Sequence, residues 1–139
     1  MEAPQDPTLA DYQRAAALRA AVRVFLQRGE QAARRAGLTP QRQLLLLMIK
    51  GAPDGRETAT VTELAERLRL AQSTVTELVA RAEAVGLLER GGSERDGRVV
   101  HLRLTAEGER RLAATVAELR ADREALVDVL AAQREGAGP

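Results

Sequence analysis

Apolar residues recur at the spacing of a helix face over most of the chain, and they alternate with polar residues in only one short stretch. Residues 9–36 contain no proline and are rich in alanine, leucine and arginine, a composition that favours a helix. One face of this helix carries Leu18, Val22 and Phe25. Thr39 and Pro40 are typical of a second helix start. The segment that follows, residues 41–50, is so apolar that we expect most of its circumference to be buried.

The middle of the chain predicts two short helices and a β-hairpin. Residues 62–68 and 73–85 have helical spacing. The second of these helices is expected to turn its apolar side inward with Val75, Leu78, Val79, Ala82 and Val85. Two strands are predicted over residues 87–90 and 99–104, because apolar and polar residues alternate in the second one. The glycine-rich segment between them is the expected hairpin tip.

The end of the chain predicts one long helix over residues 105–132, with Thr105 as its N-cap. Leucines and valines recur along it at coiled-coil spacing, and Arg123 interrupts the seam as an ion-paired register residue or as a residue at its edge. The stripe could pack within one chain. A lobe of about 70 residues is too small to cover two helices of this length, however, so we expect a second copy of the chain. The predicted dimerisation residues are Leu18, Val22, Leu112, Val116, Leu119, Leu126 and Leu130.

Composition argues against catalysis and against a metal site. The 139-residue chain has no cysteine and a single histidine, His101, which has no second histidine to share a metal with. Ser93 and Asp96 lie with His101 on the hairpin, where no pocket is expected around them. We therefore expect no enzyme, no cofactor and no metal. The chain has no apolar run of membrane-spanning length and no secretion signal, which predicts a cytoplasmic protein without membrane contact.

The predicted second short helix has the size and the side chains to enter a DNA groove. A helix about 10–12 Å across fits a major groove about 12 Å wide. Its inward set leaves exposed the hydrogen-bonding residues Ser73, Thr74, Thr76, Glu77 and Arg81, and the hairpin tip adds the cations Arg95 and Arg98. The hydroxyls could instead only cap and solubilise the helix. Charge does not decide between these interpretations, because residues 61–105 contain seven arginines and seven carboxylates.

Several short motifs, taken in order, resemble the MarR family of transcriptional regulators. The resemblance covers about residues 38–112. The motifs are Leu64-Ala65-Glu66-Arg67-Leu68, Gln72-Ser73-Thr74-Val75-Thr76, Gly86-Leu87-Leu88-Glu89-Arg90, Asp96-Gly97-Arg98 and Leu104-Thr105-Ala106-Glu107-Gly108. The resemblance implies a single domain, residues 1–139, that is mainly α with a small β-wing. Residues 9–37 and 105–132 would be dimerisation helices, and residues 38–104 a winged helix-turn-helix lobe with its wing at residues 87–104.

The resemblance implies a homodimeric repressor or activator, of which we expect a repressor, that binds a pseudo-palindromic site on double-stranded DNA. A small-molecule effector that relieves binding is the further partner implied. By the same resemblance, residues 73–85 would be the recognition helix, Arg98 would enter the minor groove and Asp96 would brace the wing. The implied DNA-binding residues are Gln72, Ser73, Thr74, Thr76, Glu77, Arg81, Arg95, Asp96 and Arg98.

Three residues depart from the family pattern. Glu77 stands where a basic residue is frequent, Gly97 replaces an arginine in the wing motif, and Ala82 replaces a leucine. A carboxylate at position 77 repels phosphates, although it can accept a hydrogen bond from cytosine N4. Glu77 and the balanced charge of the lobe motivate an alternative function, a helical dimer that uses the lobe for protein–protein contact without binding DNA.

Overall fold

The computed structural model describes residues 3–92 and 99–136. Within these residues the chain forms six helices and one two-stranded antiparallel sheet. In chain order the elements are α1 (Leu9–Arg35), α2 (Pro40–Lys50), α3 (Val61–Leu68), α4 (Gln72–Ala84), β1 (Leu88–Gly92), β2 (Val100–Leu104), α5 (Ala106–Glu118) and α6 (Arg120–Glu135). The predicted fold class, mainly helical with a small β-wing, is confirmed.

Threonine side chains fix the starts of four helices. Thr39 accepts a hydrogen bond from the Arg42 amide at 3.2 Å, and Pro40 occupies the first turn of α2. Thr105 accepts from the Gly108 amide at 3.1 Å at the start of α5. Both caps confirm the prediction from sequence. The starts of α1 and α3 carry complete capping boxes, in which a threonine and an acidic residue three positions later bond reciprocally; the pairs are Thr8 with Asp11 and Thr60 with Glu63.

The wing sheet is tied to the segment before α3. β1 and β2 pair in antiparallel register from Leu88 opposite Leu104 to Gly92 opposite Val100. Leu102 also pairs with Ala59 through two backbone hydrogen bonds, of 3.1 and 2.8 Å. This third pairing was not predicted, and it attaches the hairpin to the start of the helix-turn-helix. The first strand begins at Leu88 and reaches Gly92, further into the hairpin than the predicted range.

α2 lies at the centre of the lobe and contacts α1, α3, α4, α5 and β2. Its residues Leu45, Leu46 and Ile49 are fully buried, as expected from its apolar sequence, whereas Leu44 is 41% exposed. The core continues through Leu64, Val75, Val79, Ala82, Leu87, Leu88, Leu102 and Leu112. Val85 was expected to face inward but is 51% exposed, because α4 ends at Ala84 and Val85 is its C-cap residue.

α1 and α6 pack antiparallel within one chain. Near one end of the pair the Gln133 amide donates to the Arg14 carbonyl at 3.1 Å, and Arg14 donates to the carbonyl of Gly136. Further along, Arg28 pairs with Asp122 at 3.2 Å. The helices leave an open apolar groove of about 280 Å³ between them, lined by Ala20, Ala21, Val24, Phe25, Asp122, Ala125, Leu126 and Val129.

The prediction of one helix over residues 105–132 is wrong, because the helix is broken at Leu119. Just before the break the buried Thr115 hydroxyl donates to the Leu112 carbonyl at 2.8 Å, a bond that competes with the helix ladder and bends helices. The Arg123 guanidinium donates to the Val116 carbonyl across the break, also at 2.8 Å. Of the two alternatives for Arg123, the ion-paired register residue is not found among the described residues, because its side chain binds the backbone.

Three contacts fasten α5 to the lobe. Lys50 pairs with Glu109 at 2.9 Å and with Glu57 at 3.1 Å, and the hydrogen bonds from these carboxylates, chiefly Glu109, raise the pKa of Lys50. Arg111 donates to the Gly37 carbonyl at 3.0 Å. Gly108 lies against the backbone of Leu87 so closely that a Cβ there would overlap the Leu87 carbonyl oxygen. The position therefore requires glycine for packing.

Gly108→Ala is expected to lower the free energy of unfolding by about 1–3 kcal/mol, because backbone must shift to admit the methyl group. The matched change is Gly29→Ala in α1, where nothing lies within 4 Å of a Cβ. That variant should gain about 0.5–1 kcal/mol from the loss of glycine's backbone freedom. Urea unfolding monitored by circular dichroism measures both changes. An unaltered midpoint for Gly108→Ala would contradict the close approach.

Candidate nucleic-acid interface

α4 has one buried face and one open face. Val75, Val79 and Ala82 are fully buried in the core. Glu77 follows Val75 by two residues, which places it about 200° further round the helix and directs it away from the core. The stripe opposite the core consists of Ser73, Glu77, Ala80 and Ala84, all exposed. α4 therefore offers solvent a face with hydrogen-bonding side chains in its first half and small alanines in its second half.

The first turn of α4 has no side-chain cap. Its N-cap residue is Ala71, so the interpretation that the hydroxyls of Ser73 and Thr74 only cap the helix has no support. The Thr76 hydroxyl donates to the Gln72 carbonyl at 2.9 Å, which occupies its proton, and the Gln72 amide donates to the Thr62 hydroxyl at 3.4 Å. Of the predicted hydroxyl contacts, Ser73 and Thr74 are the ones that make no side-chain hydrogen bond to another described residue.

Ion pairing separates the arginines of the lobe into two groups. Arg67 pairs with Glu63 at 3.0 Å; the other two such pairs are Arg90–Glu83 at 2.9 Å and Arg103–Glu89 at 2.8 Å. Arg69 and Arg81 are exposed and form no ion pair with a described residue. Arg81 lies within α4, and Arg69 lies in the turn that enters it. The uncompensated cations in this part of the lobe are thus those next to the open face of α4.

Arg69 is the residue that sequence reasoning missed. It ends α3 in the left-handed conformation, with φ 58° and ψ 42°, a region that glycine or asparagine occupies at lower cost. Arginine gives no sequence signal for that conformation. Its exposure beside α4 was visible only once the turn between α3 and α4 was placed.

The structure describes the two strands of the wing but not its tip. β1 and β2 pair beside α4, with which β1 is in contact. The predicted tip residues Arg95, Asp96 and Arg98, together with Ser93, lie outside the described residues. His101 is half-buried on β2. No group of three metal-ligating side chains occurs in the described segments, and none of their helices combines the length and apolarity that a membrane span requires.

The predicted dimerisation residues divide by exposure. Leu112 and Leu119 are 3% and 6% exposed, so they pack inside the single chain and are not available to a partner. Leu18, Val22, Val116 and Leu126 are half-buried, and Leu130 is 46% exposed. α1 and α6 also expose apolar residues that were not predicted to take part: Leu9, Tyr12, Val24, Leu26 and Val127.

Comparison with known proteins identifies the arrangement. A sequence model described as MarR family matches residues 36–99. The structure of a MarR family protein from Bacillus stearothermophilus is 30% identical, with a TM-score of 0.69 over 92% of this chain and 83% of that one. The chain belongs to the MarR family. None of the curated proteins compared with it matches.

More distant solved structures share the fold. AbsC, a MarR family transcriptional regulator from Streptomyces coelicolor, has a TM-score of 0.70 at 19% identity, covering 88% of this chain and 84% of that one. A mutant of MepR from S. aureus, bound to an oligodeoxyribonucleotide, has a TM-score of 0.64 at the same identity and coverage. These likenesses show the winged-helix fold, with α3 and α4 as its helix-turn-helix and β1–β2 as its wing. Membership of the MarR family makes the protein a DNA-binding transcriptional regulator.

Arg69→Gly tests the geometry of the turn in this MarR lobe. Because glycine adopts the left-handed conformation without steric cost, we expect the free energy of unfolding to be unchanged or to rise by up to about 1 kcal/mol. Arg67→Gly is the matched control: it breaks an ion pair within α3 and places glycine in a helix, so it should lose about 1 kcal/mol. Thermal unfolding compares the two. A loss for Arg69→Gly as large as that for Arg67→Gly would contradict the left-handed turn.

Proposed function

We propose that the protein is a homodimeric MarR repressor that places α4 of each protomer in the major groove of a pseudo-palindromic operator. The observation that carries the proposal is the charge arrangement of the lobe. Three of the five arginines in its described residues 61–92 and 99–105 are ion-paired, and the other two, Arg69 and Arg81, flank the open face of α4. Free guanidinium groups beside a face of polar side chains suit a duplex with phosphate walls.

The proposed contacts follow from position on the helix. Ser73 and Glu77 lie on the stripe opposite the core and face the base edges. Arg81 lies to the side of that stripe and Arg69 precedes the helix, so both contact phosphates. In the wing, Arg98 enters the minor groove and Asp96 braces it, with Arg95 at the rim; these three assignments rest on the sequence motif. Gln72, Thr74 and Thr76 complete the contact surface at the start of α4.

The dimer is proposed to form through the outer surfaces of the α1–α6 pair. Val127 is 61% exposed and Leu130 46% exposed on α6, and Tyr12 and Leu26 are 63% and 58% exposed on α1. Apolar side chains repeated along two long helices favour burial against a second copy. Two copies related by a two-fold axis would hold their recognition helices about one turn of DNA apart, roughly 34–36 Å. The half-sites of the operator should have that spacing.

Relief of repression is proposed to follow from a small-molecule effector that favours a spacing of the lobes unsuited to DNA. Family membership supports this part, and the absence of cysteine excludes a cysteine-oxidation switch in its place. Calorimetric titration of the protein–DNA complex with candidate ligands tests it. A ligand that weakens DNA binding is the expected result.

Electrophoretic mobility shifts on fragments selected from a random duplex pool, at several salt concentrations, test the DNA contact. Arg81→Ala and Arg69→Gly should each weaken binding and reduce the slope of log K against log salt by about 1. Arg110→Ala removes a cation that pairs with Glu107 on α5, away from α4, and should leave the slope unchanged. If no duplex is bound under any condition, the protein-interaction module becomes the better explanation of the lobe.

Sedimentation velocity tests the dimer. Val127→Asp combined with Leu130→Asp should convert the dimer to a monomer, because it places two charges in an apolar contact. Val85→Asp changes a residue of similar exposure on the lobe and should remain dimeric. A wild-type protein that sediments as a monomer at micromolar concentration would contradict the proposal.

A further inference from the structure

Glu77 occupies the centre of the open face of α4. Its neighbours on the stripe opposite the core are Ser73, Ala80 and Ala84, whose side chains are all shorter. The carboxylate of Glu77 therefore extends furthest from the helix along this stripe. When the stripe faces the floor of a groove, the carboxylate is the group that arrives first at the base edges, whereas Arg81, to one side, faces the phosphate wall.

The negative charge of Glu77 is not compensated by a described residue. The acids Glu63, Glu83 and Glu89 of the same lobe are each paired with an arginine at 3.0 Å or less. Glu77 forms no ion pair with a described residue, although Arg81 follows it by one helical turn. An uncompensated carboxylate on a DNA-facing surface repels phosphates and weakens binding to every sequence alike. Its position is favourable only where a hydrogen-bond donor meets it.

The major groove offers few such donors. An ionised carboxylate only accepts hydrogen bonds. Guanine presents acceptors at N7 and O6, and thymine presents an acceptor at O4, so both oppose a carboxylate. Adenine presents its N6 donor next to the N7 acceptor, whereas the hydrogen-bonding group that cytosine presents in the major groove is the N4 amino donor alone. Cytosine is the base that a carboxylate selects.

We propose that Glu77 is a specificity-determining residue that accepts a hydrogen bond from the N4 amino group of one cytosine in each half-site. This inference rests on the proposed function. The charge of Glu77 lowers affinity for DNA of any sequence, and the hydrogen bond restores affinity at sites that have cytosine at this position. Glu77 therefore raises sequence specificity while lowering affinity for other sequences. In a two-fold symmetric operator the cytosine recurs once in each half-site.

Selection from a random duplex pool with wild-type protein, Glu77→Ala and Glu77→Gln tests the proposal. Wild type should enrich cytosine at one position of each half-site. Glu77→Ala should lose the preference at that position alone, and Glu77→Gln should shift it to adenine, which a glutamine amide pairs with at N6 and N7. Because the exposed Glu77 side chain makes no hydrogen bond or ion pair with any residue that the structure describes, both variants should retain the wild-type thermal midpoint.

Glu66→Gln is the matched control for charge. Glu66 is an exposed acid on α3 that also forms no ion pair with a described residue, and it lies off the recognition helix. Neutralising it should strengthen binding to non-specific duplex about as much as Glu77→Gln does. It should leave the selected sequence unchanged, which separates the loss of a negative charge from the loss of a base contact.

Removing a single amino group from the DNA tests the contact directly. The selected duplex is prepared with 2-pyrimidinone in place of the enriched cytosine, so that only the 4-amino group is lost. Wild type should bind this duplex about 5- to 150-fold more weakly than the parent, the range of one good base contact. The weakened base pair affects binding by Glu77→Ala as well. The loss of affinity of Glu77→Ala between the parent and the 2-pyrimidinone duplex should therefore be smaller than that of wild type by the factor that the hydrogen bond contributes.

The outcomes distinguish the inference from the function beneath it. If wild type and Glu77→Ala select the same sequence at every position, with the variant simply tighter, Glu77 is only repulsive and the inference is wrong while the DNA-binding function stands. An equal loss for both proteins on the 2-pyrimidinone duplex overturns it in the same way. If neither protein enriches any sequence, the proposed function itself fails.

Discussion

The burial of one face of α4 against the core determines which side chains this lobe can show to DNA. Val75, Val79 and Ala82 are fully buried, and rotating the helix by a single residue position, about 100°, would expose them. Removing a core aliphatic side chain to alanine costs about 2–5 kcal/mol, a large fraction of the stability of a domain this size. The direction of Glu77 is therefore set by the core residues on the opposite face of α4. α2 holds α4 in this orientation, because α2 packs against α3, α4 and α5 together.

The net charge of the lobe conceals the arrangement that matters. Equal numbers of arginines and carboxylates argued neither for nor against DNA. Of the five arginines of the lobe that the structure describes, however, three are paired with neighbouring acids and two are not paired with any described residue. Exposed ion pairs of this kind contribute little to stability, on the order of 0–1 kcal/mol. Their larger effect here is to neutralise charge away from the open face of α4, so that Arg69, Arg81 and Glu77 are the charged groups beside that face which no described residue neutralises.

The local spacing of apolar residues predicted the helices and strands well, and it predicted the contacts between them less well. The caps at Thr39 and Thr105 were readable because threonine before a helix has a local physical role. The break at Leu119 was not, since its neighbours favour helix. The Thr115 hydroxyl and the Arg123 guanidinium bond to backbone carbonyls three and seven residues earlier, and the spacing of apolar residues does not show such side-chain bonds. The pairing of Ala59 with Leu102 joins residues far apart in sequence, and periodicity carries no information about such contacts.

The candidate site shows the same division. The open face of α4 followed from its apolar spacing, whereas Arg69 was missed because no propensity places arginine in a left-handed turn. The leucine seam was correctly recognised as apolar, but a heptad pattern does not say which helix fills it. Leu112 and Leu119 are covered by their own chain, which leaves the outer residues Val127 and Leu130 as the apolar surface of α6.

The contacts between the helical pair and the lobe explain how a change at one could reach the other. α1 and α6 are joined along their length, from Arg14 with Gly136 to Arg28 with Asp122. The Arg111 bond to Gly37 holds α5 to the end of α1, and Gly108 holds α5 against the base of the wing. Since packed elements shift as units rather than deform, a displacement of the helical pair must carry the wing and α4 with it or break these contacts. In the proposed dimer, a ligand bound at the helical pair would therefore change the spacing of the two recognition helices through this chain of contacts, because α4 itself is locked to the core.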